Sequence, residues 1–192
     1  MSSCDPSCPP SKRSELYAAG YLSGLYPYSQ LKTLRKINSK LQGHPHVLNL
    51  PWLETSTGSL GQGLSFSVGM AMACQYKEIN EYIYCIVGDG EMQEGMIWES
   101  LMSAAHYKLN KLCIILDYNK LQSDDLNSNI MNIEPLKDKL LAFGLNVKEI
   151  DGHNLVELGK AIKNFKTQKA KPTFIIAHTI KGKGISFMES IP

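Results

Sequence analysis

The chain reads as an α/β protein built on a doubly wound, mainly parallel sheet with helices on both faces. Two observations predict this. Short apolar runs of strand length alternate along the chain with longer segments of helical periodicity. Two of those runs, Tyr82–Val87 and Leu112–Leu116, look apolar enough to be buried on both faces, as parallel strands are. The length of 192 residues allows one domain with a sizeable core.

Taken in order, residues 1–13 read as a flexible tail broken by Pro6, Pro9 and Pro10. Residues 14–192 read as a single α/β domain. Helical patterning covers Glu15–Ala19 and Ser29–Leu41, and residues 42–58 form a long loop of the kind that is often functional. Gly61 to Tyr76 reads as a buried helix, because small residues (Gly63, Ser65, Ser67, Gly69) alternate with Leu64, Phe66, Val68 and Met70. The strand Tyr82–Val87, the amphipathic helix Ile97–Tyr107 and the strand Leu112–Leu116 follow. A helix over Pro135–Phe143, a strand over Asn146–Ile150, a turn at Asp151-Gly152-His153-Asn154, a helix over 155–165 and a strand over Thr173–Ala177 complete the pattern. No internal repeat is evident.

Composition excludes some classes of function. The formal net charge is +2 with 20% charged residues, and the lysines are dispersed apart from a run at Lys160 to Lys171 that suits the solvated face of a helix. Nothing points to nucleic acid. No apolar run reaches the ~20 residues that cross a bilayer, and the amino terminus lacks the apolar core of a signal peptide; a cytoplasmic location is the expectation. Of five cysteines, Cys85 and Cys113 sit in strands as small hydrophobes. Cys4 and Cys8 lie in the tail with no further ligands nearby.

The stretch Ile86-Val87-Gly88-Asp89-Gly90-Glu91 is an apolar strand running into Gly-Asp-Gly. A second strand ends in Leu116-Asp117-Tyr118-Asn119, thirty residues further on from Asp89. That spacing fits one βαβ unit with Asp89 and Asn119 at the carboxyl ends of parallel strands, where ligands of open α/β sheets sit. The Asp89 carboxylate, the Asn119 amide oxygen and a backbone carbonyl would hold Mg²⁺, with cofactor phosphates completing its shell. Gly90 would let the backbone approach a diphosphate, and the helix that follows would point its positive end at the phosphates. The competing reading is a plain strand-to-helix turn in which Asp89 caps the helix.

This pattern resembles the Mg²⁺-diphosphate motif of thiamine diphosphate enzymes. Gly43-His44-Pro45, the run Ser56-Thr57-Gly58-Ser59-Leu60-Gly61-Gln62-Gly63, the run Gly88 to Gly95 and Lys181-Gly182-Lys183-Gly184 stand in the order seen in transketolases, from about Tyr17 to about Glu189. The chain resembles the amino-terminal, thiamine diphosphate-binding subunit of a split, two-subunit transketolase. The resemblance implies thiamine diphosphate and Mg²⁺ as cofactors, and transfer of a two-carbon ketol unit from a ketose phosphate to an aldose acceptor. It makes Asp89, Asn119 and the Leu121 carbonyl the metal ligands. Gly58, Ser59 and Leu60 become the loop that meets the diphosphate and thiazolium ring, and His44 a group facing the substrate channel. Glu94 would lie near a subunit interface, or else serve as an acid at a helix start. His178 and Lys181 would precede a flexible loop over the active site, whereas His106 and His153 look structural.

The same resemblance implies a partner. The Glu that activates the cofactor belongs, in this family, to a pyrimidine-binding domain that has no counterpart here, so a complementary subunit and a hetero-oligomer are expected. A Gly-His motif that stands before the Tyr17 helix in the family is replaced by Ser11-Lys12-Arg13-Ser14-Glu15, and a Trp-His-Gly motif has no counterpart after Phe187-Met188-Glu189. The chain thus looks truncated or divergent at both ends. A 2-oxo acid dehydrogenase component, a deoxyxylulose phosphate synthase type of subunit and a non-catalytic scaffold subunit remain alternatives.

Overall fold

The computed structural model describes residues 11–122 and 125–191, with side chains from Glu15 onward. Residues 1–10 of the expected tail lie outside the described residues; helix α1, Ser11–Leu22, takes in the rest of it. Within the span that the sequence assigns to one domain, packing forms two compact units that divide between Ser59 and Leu60.

The first unit contains α1 and the short helix α2, Tyr28–Leu31. Its core gathers Tyr17, Tyr26, Leu41, Leu50 and Leu53. Burying tyrosines requires partners for their hydroxyls: Tyr17 donates to the Gln42 carbonyl at 2.7 Å, and Tyr26 donates to the Tyr17 carbonyl. The Tyr26 ring stacks on Trp52 with centroids 6.0 Å apart. The helix expected over Ser29–Leu41 ends at Leu31. Arg35 and Asn38 adopt left-handed backbone conformations, φ 59° and 65°, and the Thr33 hydroxyl donates to the Gln30 carbonyl and meets Ser39 Oγ, each at 2.7 Å. Such local side-chain bonds offer the backbone an alternative to helix.

The second unit runs α3 (Gln62–Tyr76), β1 (Ile83–Gly88), a single 3₁₀ turn (Gly90–Gln93), α4 (Gly95–His106), β2 (Leu112–Tyr118), α5 (Asn127–Ile130), α6 (Leu136–Ala142), β3 (Asn146–Asp151), α7 (Leu155–Thr167) and β4 (Thr173–His178). The four strands form one parallel sheet in the order β1-β2-β4-β3. One face buries Leu64, Val68, Ile97, Leu101, Leu136 and Leu140 from helices α3, α4 and α6 against Val87, Ile114, Leu116, Phe174 and Ile176. The other face carries α7, whose Ala161 and Phe165 cover Cys113 and Ile175. Helices on both faces of a parallel sheet make the fold doubly wound, as the alternating pattern predicts. The register matters for the site: Gly88 pairs with Asp117, and Tyr118 with His178, so every strand ends at the same edge of the sheet.

Two burial expectations need correction. β1 is an edge strand among the described residues, and although its Cys85, Val87 and Gly88 are buried, Tyr84 is 43% and Ile86 65% exposed. Phe165 of α7 reaches Tyr82 and Tyr84 edge-on, at 5.3 and 5.5 Å, but Ile86 remains outside this cover. Helix α3 buries Leu64, Ser67, Val68 and Ala71, while Phe66 on its other side is 44% exposed.

These packing differences set mutational costs. Phe165→Ala removes a fully buried ring and should cost about 3–5 kcal/mol, whereas Ile86→Ser should change stability by no more than about 0.5 kcal/mol. Denaturant midpoints of the two variants measure this; equal losses would contradict the assigned faces.

Candidate cofactor site

Asp89 and Asn119 are the residues immediately beyond the ends of β1 and β2. Because those strands are adjacent and parallel, two residues thirty positions apart in sequence leave the same carboxyl edge of one sheet. Asp89 is 2% exposed. Its Oδ1 accepts from the Gly90 N–H at 2.8 Å, and its Oδ2 accepts from the Lys120 N–H. Lys120 has a left-handed backbone, φ 66°, which turns the chain that follows it. Asn119 Oδ1 accepts from the Leu121 N–H at 2.9 Å, a two-residue side-chain turn that carries the chain around to Leu121. Asn119 Nδ2 donates to Asp117 Oδ2 at 3.4 Å.

Burial pushes the Asp89 carboxyl above the ordinary aspartate range. The Asn127 amide and the Gly90 and Lys120 N–H groups pull it down, and the nearby charge of Asp117 adds to the rise. Among the described residues no Lys or Arg pairs with it. A buried, hydrogen-bonded carboxylate without a countercharge is costly, and a divalent cation supplies that countercharge. The donors gathered here are oxygens, the set a hard cation takes.

The surroundings fit a bound phosphate group as well. A Cβ at Gly90 would lie 3.0 Å from Gln122 Cβ and 3.1 Å from Gln122 Oε1, so Gly90 keeps this narrow space open. Gln122 Nε2 is buried without a hydrogen-bond partner among the described residues, and the buried Asn127 amide lies against the Asp89 carboxylate. A buried amide N–H left in this state is uncommon and points to a missing polar partner.

The segment after Asp89 is the 3₁₀ turn, and α4 begins at Gly95, two residues ahead of the helix expected over Ile97–Tyr107. Asp89 also caps the 3₁₀ turn by accepting from the Gly90 N–H.

Glu91 is the residue that sequence reasoning passed over. Its Oε1 accepts from the Gly61 N–H at 2.8 Å and its Oε2 from the Gly88 N–H at 3.2 Å. One carboxylate thus ties the start of α3 to the end of β1. Its place directly after Gly-Asp-Gly, with two glycine-rich turns in need of acceptors, was the available signal. Tyr118 donates to the Glu134 carboxylate, and the Thr179 hydroxyl donates to Asp117 Oδ1, which fixes the neighbouring strand ends.

The other predicted residues fall as follows. Leu60 opens the second unit and is 47% exposed. His44, Gly58 and Ser59 belong to the first unit. There the His44 ring lies directly over Gly58, whose φ is 143°, and a Cβ on Gly58 would collide with the ring. Glu94 precedes α4 and makes no side-chain cap bond. His178 Nε2 meets Glu149 Oε2 at 3.0 Å, and its ring sits edge-on to Tyr118 at 5.3 Å. Lys181 opens a turn closed by the Ser190 N–H donating to the Lys181 carbonyl at 2.9 Å.

Comparison with known proteins identifies the family. Residues 13–190 match the family model described as transketolase, thiamine diphosphate binding domain. The chain is 45% identical over 174 residues to a 6-deoxy-6-sulfo-D-fructose transketolase subunit of Clostridium sp. (strain MSTE9), covering 91% of this chain and 63% of that protein. It is 38% identical over 176 residues to an apulose-4-phosphate transketolase subunit of Phocaeicola vulgatus, covering 92% and 62%. The chain therefore spans less than two thirds of the length of these curated relatives. Among solved structures, transketolase from Leishmania mexicana superposes with a TM-score of 0.82 at 32% identity, over 88% of this chain and 27% of that one. With a family match over nearly its whole length, a doubly wound sheet and oxygen donors at the carboxyl edge, this chain belongs to the transketolase family, as its thiamine diphosphate binding domain.

Proposed function

We propose that this chain is the diphosphate-binding subunit of a thiamine diphosphate-dependent transketolase that moves a two-carbon ketol unit from a ketose phosphate to an aldose acceptor. The observation that carries this reading is the buried Asp89 carboxylate accepting from the Lys120 N–H, between Asn119 and Leu121, which are themselves joined by a side-chain turn, beyond paired strand ends. The Asp89 and Asn119 side chains and the Leu121 carbonyl would hold Mg²⁺, and the Gly90 backbone and Gln122 Nε2 would meet the diphosphate. When bound, the cofactor supplies the nucleophilic carbon and the electron sink.

The chain's own residues bind and position. Glu91 sets the start of α3 beside the end of β1. Gly58, Ser59 and Leu60 form the loop assigned to the cofactor's diphosphate and thiazolium ring, with Leu60 an apolar wall. His44, backed by Gly58, would donate to or accept from a sugar hydroxyl, or move a proton there. A complementary subunit carrying the pyrimidine-binding domain and its Glu completes the enzyme as a hetero-oligomer, with Glu94 near the contact. Among the described residues no helix is long and apolar enough to cross a membrane, and cytoplasmic residence is part of this reading.

Three outcomes test the proposal. Asp89→Ala should weaken Mg²⁺-dependent binding of thiamine diphosphate by about 100-fold or more, since even groups that only orient metal ligands are worth about 10- to 100-fold. Calorimetric titration of the complex reads this, and retained affinity would sink the metal assignment. In steady-state kinetics with the partner present, His44→Ala should lower turnover with sugar phosphates by about 10²-fold and leave cofactor affinity nearly unchanged. Equal loss of both, or of neither, removes the substrate role. Glu91→Gln keeps one acceptor oxygen and loses the second charge-assisted bond, costing about 1.5–3 kcal/mol where Glu91 joins α3 to β1; amide exchange at Gly61 and Gly88 reports it.

A further inference from the structure

The turn after β3 reaches across to the exit of β4. The Gly152 N–H donates to the His178 carbonyl at 2.8 Å, and a Cβ at Gly152 would lie 3.0 Å from that carbonyl and 2.5 Å from Thr179 Cγ2. The His153 N–H donates to Asp151 Oδ1 at 2.9 Å. Asn154 caps α7 by accepting from the Val156 and Glu157 N–H groups at 3.0 and 3.2 Å. With its backbone fixed on both sides, His153 directs Nε2 at the Ile180 N–H, 2.8 Å away. On the opposite flank, β2 holds the same segment: the Thr179 N–H donates to the Tyr118 carbonyl at 3.1 Å, and the Thr179 hydroxyl bonds to Asp117. Ile180 is thus the last residue gripped by the sheet before the Lys181-Gly182-Lys183-Gly184 turn.

A backbone N–H is a donor only, so the ring nitrogen facing it must carry a lone pair. This requires neutral imidazole with its proton on Nδ1. Protonation places a second N–H against the Ile180 N–H and removes the bond. His153 is exposed, so its proton exchanges with solvent. The titratable and charged groups on the elements packed around it are Asp151 at the end of β3, Glu157 in the first turn of α7, whose Oε2 accepts from the Asp151 N–H at 3.1 Å, His178 at the end of β4, bonded to Glu149, and Lys181 in the loop itself.

We propose that His153 is a positioning residue: through the Ile180 amide it holds the start of the loop running from Lys181 to Ser190, and protonation of His153 releases that loop. The consequence for cofactor or substrate access rests on the transketolase reading, but the clasp does not. It is a property of the chain alone.

Amide-resolved hydrogen exchange on the full chain, without cofactor or partner, tests it. After correction for intrinsic rates, protection of Ile180 and the loop amides should fall about tenfold between about pH 8 and about pH 5, the range in which imidazole changes charge. Amides of β2 serve as the internal control for the fold. His153→Ala should show the low protection at both pH values. His153→Gln, which offers an acceptor that does not titrate, should keep protection at both. Wild-type protection that ignores pH, a His153→Ala variant that exchanges like wild type, or a His153→Gln variant that keeps the wild-type pH dependence would each overturn the proposal. Because no cofactor is present, those failures leave the transketolase assignment untouched, just as failure of cofactor binding would leave the clasp standing.

Discussion

The Asp89 carboxylate, buried beyond the end of β1 and held by the Gly90 and Lys120 N–H groups, is the constraint around which the carboxyl edge of the sheet is organised. Lys120 accepts a left-handed backbone, and that reversal brings the Leu121 N–H back to Asn119 Oδ1. Hydrogen bonds from two backbone amides do not neutralise a buried negative charge; they orient it. The fold therefore presents an anchored carboxylate, next to the Asn127 amide and to the buried Gln122 Nε2, which has no hydrogen-bond partner among the described residues; on the proposed function a cation completes it.

The sheet explains why these groups gather at one edge. Strands β1 and β2 are neighbours in a parallel register, so residues far apart in sequence leave the sheet side by side. Glu91 then spans the gap between the end of β1 and the start of α3 with its two oxygens. The neighbouring ends of β2, β3 and β4 are tied by Asp117, Gly152, His153 and Thr179. On the proposed function, an edge tied in this way would hold the ligand groups in place before anything binds, which is what positioning catalysis requires.

Much of this was legible in the sequence because two signals are strong. Continuous apolar runs such as Leu112–Leu116 can only be parallel strands once helices alternate with them, and Gly-Asp-Gly with Asn119 thirty residues on fits one crossover. What escaped depends on tertiary partners. Thr33 and Ser39 bond to each other and draw residues 32–39 out of a helix that periodicity alone would continue. Ile86 has the composition of a core strand residue, but its exposure depends on which strand forms the edge, and no local pattern records that. Glu91 and Gln122 act through glycines remote from them in sequence, at Gly61 and Gly90. The packing of His44 on Gly58 likewise joins two motifs that read separately along the chain.

The most direct test is anomalous diffraction from crystals of this chain grown with thiamine diphosphate and Mn²⁺ in place of Mg²⁺. The account predicts one metal peak coordinated by the Asp89 carboxylate, the Asn119 amide oxygen and the Leu121 carbonyl, with the diphosphate lying along Gly90. A metal held elsewhere, or a cofactor whose diphosphate does not approach Gly90, would contradict it.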